Sequence, residues 1–102
     1  MSILDEVLIE EYERSKRFKK MYQEKLQDLP KGYLSRKNIK GKVYYYLQYR
    51  DGEKIVSQFV PNENVESLQK QIEDRRKYEK RVREVEADLR KIRKAVGSLV
   101  RE

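Results

Sequence analysis

Between Arg36 and Lys54 the chain interleaves cations with tyrosines: Arg36, Lys37, Lys40, Lys42, Tyr44, Tyr46, Gln48, Arg50 and Lys54. These residue types suit a polyanion. Lys and Arg neutralise phosphates and release their counterions. Tyrosine offers a ring to bases or sugars and a hydroxyl to phosphate, and the Gln48 amide has the geometry to pair bidentately with adenine. Residues 30–61 carry 7 basic and 2 acidic groups, net +5, against −1 for residues 1–29 and +3 for residues 62–102. The chemistry expected is nucleic-acid binding, with DNA preferred to RNA. The competing expectation is that the tyrosines pack a small sheet onto helices while the lysines keep its edges soluble. A second basic run, Arg75-Arg76-Lys77 followed by Lys80-Arg81, reads more readily as a solvated helix face paired with Glu73, Asp74 and Glu79.

Catalytic chemistry has few candidates. With no Cys there is no thiolate nucleophile, disulfide or Cys-based zinc site. With no His the commonest general base and metal ligand are missing. The carboxylates Glu10, Glu11 and Glu13, and Glu84, Glu86 and Asp88, are interspersed with bases as on a helix surface. Gly41 and Gly52 belong to turns rather than to a phosphate-binding loop. No enzyme activity, metal or cofactor is expected. No apolar run approaches the roughly 18 residues of a membrane span, and no signal-peptide pattern opens the chain. A cytoplasmic protein with no membrane association is the expectation.

The candidate residues need a sheet to position them. Val43 to Tyr49 is β-branched and aromatic, and reads as a strand from Lys42 to Arg50. Alternation puts Val43, Tyr45, Leu47 and Tyr49 on one face and Lys42, Tyr44, Tyr46, Gln48 and Arg50 on the other. Asp51-Gly52 is a hairpin signal, and Lys54 to Val60 returns as the next strand. A two-residue turn there sets Val56 opposite Leu47 and Val60 opposite Val43. A bulged turn would instead bring Ile55 and Phe59 inward. Upstream, Lys40-Gly41 reads as a turn and Tyr33 to Ile39 as a first, more polar strand. Pro61 ends the meander.

The flanking segments read as helices. Ser2 can cap the first, with Asp5 three residues on. Leu4, Leu8, Tyr12, Ser15, Phe18, Tyr22, Leu26 and Leu29 form its stripe. Leu29-Pro30-Lys31-Gly32 stops it. Asn62 or Asn64 can cap the second. Its stripe runs Val65, Leu68, Ile72, Tyr78, Val82, Val85, Leu89, Ile92, Val96 and Leu99, with a slip at Arg75 where an apolar residue was due. Gly97 weakens its end.

The expected fold is α+β: a long antiparallel helical hairpin, a coiled coil, with a three-stranded antiparallel β-meander inserted between its helices. All 102 residues form one domain, with the first helix over 1–29, the meander over 33–60 and the second helix over 62–100. At 1.5 Å per residue the helices span roughly 40 and 55 Å, so the second should overhang the first and carry unmatched apolar residues. That argues for a homodimer through the helices.

Leu29 to Lys37, followed by Gly41 to Lys54, resembles a family of small uncharacterised prokaryotic proteins often associated with mobile elements. More distantly, Tyr44-Tyr45-Tyr46 to Lys54 is similar to the arm-type amino-terminal DNA-binding domain of tyrosine recombinases, a three-stranded sheet that reads the major groove. Recombinase arms place that sheet before a single helix, whereas here it lies between two. The recombinase catalytic domain has no counterpart, so no tyrosine inherits a nucleophile's role. The resemblance implies that Lys37, Lys42, Tyr44, Tyr46, Gln48 and Arg50 face DNA. The alternative is a coiled-coil protein-interaction factor, an inhibitor or accessory factor of mobile-element or phage origin, whose meander docks on another protein.

Overall fold

A computed structural model of the protein describes residues 2–97. The order is α1 (Ile3–Gln27), β1 (Tyr33–Ile39), β2 (Lys42–Asp51), β3 (Lys54–Val60) and α2 (Asn62–Val96). Two long helices thus flank a three-stranded antiparallel sheet in sequence, as the periodicities require. The chain forms two compact units. One holds α1 with α2 from Lys77 onward, and the other runs from Leu29 to Arg76. Among the described residues, no helix is long and apolar enough to cross a membrane.

In the helical unit α1 opens on a capping box. The Ser2 hydroxyl accepts from the Asp5 N–H at 3.1 Å, and the Asp5 carboxylate accepts from the Ser2 N–H at 3.3 Å. Two otherwise orphaned donors are satisfied, and Asp5 and Glu6 lie at the positive end of the helix dipole. The helices run antiparallel: Tyr22 meets Tyr78 with ring centroids 5.8 Å apart, Lys19 approaches Glu86 at 3.9 Å, and Arg93 reaches Tyr12. Tyr12 is 1% exposed, and Val82, Leu89 and Val96 are buried in this unit. The Tyr12 hydroxyl accepts from Arg93 Nη2 at 3.0 Å, which satisfies the polar end of a buried ring.

The expected overhang of α2 is not there. Leu89 and Val96 are buried and Ile92 is half-buried. The extra length of α2 lies at its other end, where Asn62 to Arg76 belongs to the sheet's unit. Leu99 and the expected end at residue 100 lie outside the described residues. Gly97, at φ +54°, follows the last α-helical residue, the position where glycine ends helices most readily.

In the sheet unit the strand order is β1-β2-β3. Lys40 and Gly41 both have positive φ, 51° and 82°, and join the paired residues Ile39 and Lys42. Positive φ at both central positions is the type I′ condition. The second hairpin differs from both expected registers. Asp51 pairs with Lys54, so the turn is Gly52-Glu53. Gly52 takes φ +63° and Glu53 has no positive φ, as in a type II′ turn. Val60 therefore faces Tyr45 and Val56 faces Tyr49. This is a shift of two from the simple turn, so every side chain keeps its face while every pair changes.

The inner face is closed by the first turns of α2. Leu47, Val60 and Ile72 are buried together, with Leu34, Tyr45, Tyr49, Val65 and Leu68 packed against them. Burying a side chain such as Ile72 stabilises by roughly 1.5–3 kcal/mol. Neither asparagine is the cap of α2. Asn62 is already helical, and the Asn64 N–H donates to the Pro61 carbonyl at 2.9 Å. Arg75, where the apolar pattern slips, is half-buried and donates from Nη1 to the Leu29 carbonyl at 2.8 Å. The slip thus puts a long donor beside the chain that leaves α1.

Candidate nucleic-acid interface

The alternation of β2 and its two registers assign the outer face of the sheet residue by residue. β2 supplies Lys42, Tyr44, Tyr46, Gln48 and Arg50. β1 adds Tyr33, Ser35, Lys37 and Ile39, since Tyr33 pairs with Gln48, Lys37 with Tyr44 and Ile39 with Lys42. β3 adds Ile55, Ser57 and Phe59, since Phe59 pairs with Tyr46 and Ile55 with Arg50. Of the nine candidate residues, Lys37, Lys42, Tyr44, Tyr46, Gln48 and Arg50 therefore share this face. Arg36 pairs with Tyr45 and Lys54 with Asp51, which gives both the parity of the inner face, though both are exposed. Lys40 sits in the first turn.

The face is open to solvent, but its rings are not equally available. Tyr44 and Tyr46 are half-buried against their neighbours. Phe59 stands between them, its centroid 6.5 Å from that of Tyr44 and 6.0 Å from that of Tyr46, T-shaped against the latter. Lys37 Nζ lies 4.9 Å from the centroid of the Tyr46 ring, a cation–π contact that already covers that ring. The Tyr33 hydroxyl donates to Gln48 Oε1. The most exposed rings are Phe59, at 57%, and Tyr33, at 52%, with Ile55 at 68% beside Arg50.

Among the described residues, no carboxylate forms an ion pair with Lys37, Lys42 or Arg50. At one end of the face an open cleft of about 690 Å³ lies between Lys42, Tyr44 and Phe59 on the sheet and Pro61, Asn62 and Glu63 at the start of α2. Glu63 is the one carboxylate lining it.

Some cations of the other basic surfaces are engaged within the protein. In the helical unit, Lys16, Lys19, Lys20 and Arg93 line a cleft of about 290 Å³ over Tyr12. Lys16 approaches Glu13 and Lys19 approaches Glu86, each at 3.9 Å, and Arg93 bonds Tyr12. Of the second basic run, Arg75 is tied to Leu29 and Arg81 approaches Glu84 at 3.6 Å, while Glu73 accepts from Gln69 instead.

Sequence reasoning left out Phe59 and Tyr33. The signal for both is present in the chain. The alternation that sends Val56 and Val60 inward sends Phe59 outward, and the Lys40-Gly41 turn fixes Tyr33 opposite Gln48.

A search of curated proteins and of solved structures returns no match, and so no recombinase. A family model, described as a domain of unknown function (DUF6788), matches residues 4–70, which span nearly all of α1, the whole sheet and α2 as far as Lys70.

Proposed function

The chain belongs to the DUF6788 family, and on that premise we propose that it is a non-enzymatic nucleic-acid-binding protein, acting on DNA through the outer face of its sheet. The observation that carries this reading is the pairing of unneutralised cations with an aromatic face. Lys37, Lys42 and Arg50 surround Tyr44, Tyr46 and Phe59, and no acidic group forms an ion pair with these cations among the described residues. Lys and Arg supply affinity through phosphate, while the rings supply contact with bases or sugars. In this reading the protein works in the cytoplasm, as a product of a mobile element, and pairs with a second copy through its helices. What supports the pairing is one side of α1, where Ile3, Leu4, Val7, Phe18 and Met21 are exposed.

The test is a binding titration of labelled DNA at low and at physiological salt. Affinity should fall steeply with salt, with a slope of about 0.7–0.9 per phosphate neutralised. The double variant Lys42→Glu/Arg50→Glu should lose binding while keeping its melting profile. Binding that is insensitive to both salt and charge reversal would rule the reading out.

A second reading is favoured by Ile39 and Ile55, large apolar residues exposed at opposite ends of the same face. They suit a protein partner, for an inhibitor or accessory factor of mobile-element or phage origin. A pull-down that retains one protein species, with no DNA binding at low salt, would favour it.

A further inference from the structure

Resting on the nucleic-acid reading of the sheet, we infer that the strand it takes is unpaired, held by stacking on Phe59 and Tyr33. Tyr46 is covered by Lys37 and meets Phe59 in a T-shaped contact, so it serves as a support. Phe59 on β3 and Tyr33 on β1 are each more than half exposed and lie on either side of β2. Phenylalanine has no hydrogen-bonding group, so Phe59 gains nothing from a phosphate and little from the edge of a paired base. An exposed phenyl ring gains most by lying against the face of a base, and a base offers its face only when it leaves the duplex stack.

The duplex alternative has lost its reader. Gln48 is the outer-face amide suited to pairing bidentately with adenine. Its Oε1 already accepts from the Tyr33 hydroxyl, so that contact would first have to break. The cations are also placed for a single backbone. Lys42 and Arg50 stand at the two ends of β2 with the aromatic rows between them. A strand running along β2 would meet a cation at each end and rings between. The cleft beside Phe59, lined by Lys42, Tyr44 and Asn62 among others, is open enough to admit one such base.

The full chain is titrated with three labelled probes, an oligothymidylate, an oligouridylate and a DNA duplex of matched length. Tyrosine emission is followed alongside, since the chain has eight Tyr and no Trp. The oligothymidylate should bind at least about tenfold more tightly than the duplex and quench tyrosine emission. Phe59→Leu keeps apolar bulk and removes the ring. It should weaken single-strand binding by about 5- to 100-fold and duplex binding by far less. Tyr33→Leu, a second variant in case the first folds poorly, should weaken it in the same direction. The uridylate arm separates DNA from RNA, and binding of either unpaired strand supports stacking. If the duplex binds as tightly as the single strands and both ring variants match wild type, while Lys42→Glu/Arg50→Glu still loses binding, the inference falls and the cationic face stands. If no probe binds at low salt, both fall.

Discussion

At Gly32 a φ of +112° and the nearby backbone of β2 leave no room for a side chain. A Cβ built there would overlap the Gln48 carbonyl oxygen and come within 3.0 Å of Tyr49 Cβ. The constraint comes from a close approach, because β1 starts beside the strand that carries the outer-face residues. Gly32→Ala should cost about 1–3 kcal/mol from backbone strain alone, with the overlap in addition. Urea unfolding would measure it, and a wild-type midpoint would mean that the two strands part to admit the methyl group. Tyr12 makes the matching case in the helical unit, buried with its hydroxyl bonded to Arg93. Tyr12→Phe should cost about 1 kcal/mol for the lost acceptor, and Tyr12→Ala about 3–5 kcal/mol for the emptied space. Equal losses from the two variants would make the hydrogen bond, not the ring, the dominant contribution.

Among the elements, the two hairpin turns differ in how well their residues fit them. Lys40 holds φ +51° without being glycine or asparagine. Lys40→Asn should therefore stabilise the sheet by roughly 0.5–1 kcal/mol, read as a higher melting temperature. The same variant reports on binding. If Lys40 meets a phosphate, the salt slope falls by about one; an unchanged slope removes Lys40 from the interface. That turn was legible in Lys40-Gly41 because a primed turn demands positive φ. The second was not, because Asp51-Gly52 and Gly52-Glu53 both place a glycine where a primed turn accepts one. A shift of two residues preserves every face, so hydrophobic alternation cannot choose between them. Hence the six face-sharing residues of the candidate site were readable, while the ring that stands between Tyr44 and Tyr46 was not paired correctly. The stripe of α2 was legible as apolar but not by partner. Val65, Leu68 and Ile72 close a sheet, and Val82, Leu89 and Val96 are buried in the helical unit. Helical spacing looks the same against either surface, and Arg75 marks where one gives way to the other.

For the molecule as a whole, self-association tests the exposed side of α1, where Glu11 and Arg14, paired at 3.5 Å, interrupt the apolar residues. Sedimentation should give twice the monomer mass, and Val7→Lys with Phe18→Lys should return the monomer without lowering the melt. A wild-type monomer at high concentration would leave those residues without a partner of their own kind. The other margin of the molecule that invites company is β3. It borders the sheet with its outward peptide groups unpaired by any strand among the described residues, and from Ile55 to Val60 it reads Ile-Val-Ser-Gln-Phe-Val without a single charge. Such a six-residue run has the makings of a fibril template. Lys54 in front and Pro61 behind are the gatekeepers that the neighbouring sequence provides. Concentrated stocks warmed towards unfolding should seed thioflavin-positive deposits. Lys54→Gln should shorten their lag and Ser57→Lys lengthen it, which would trace the storage life of the protein to one border of a very small sheet.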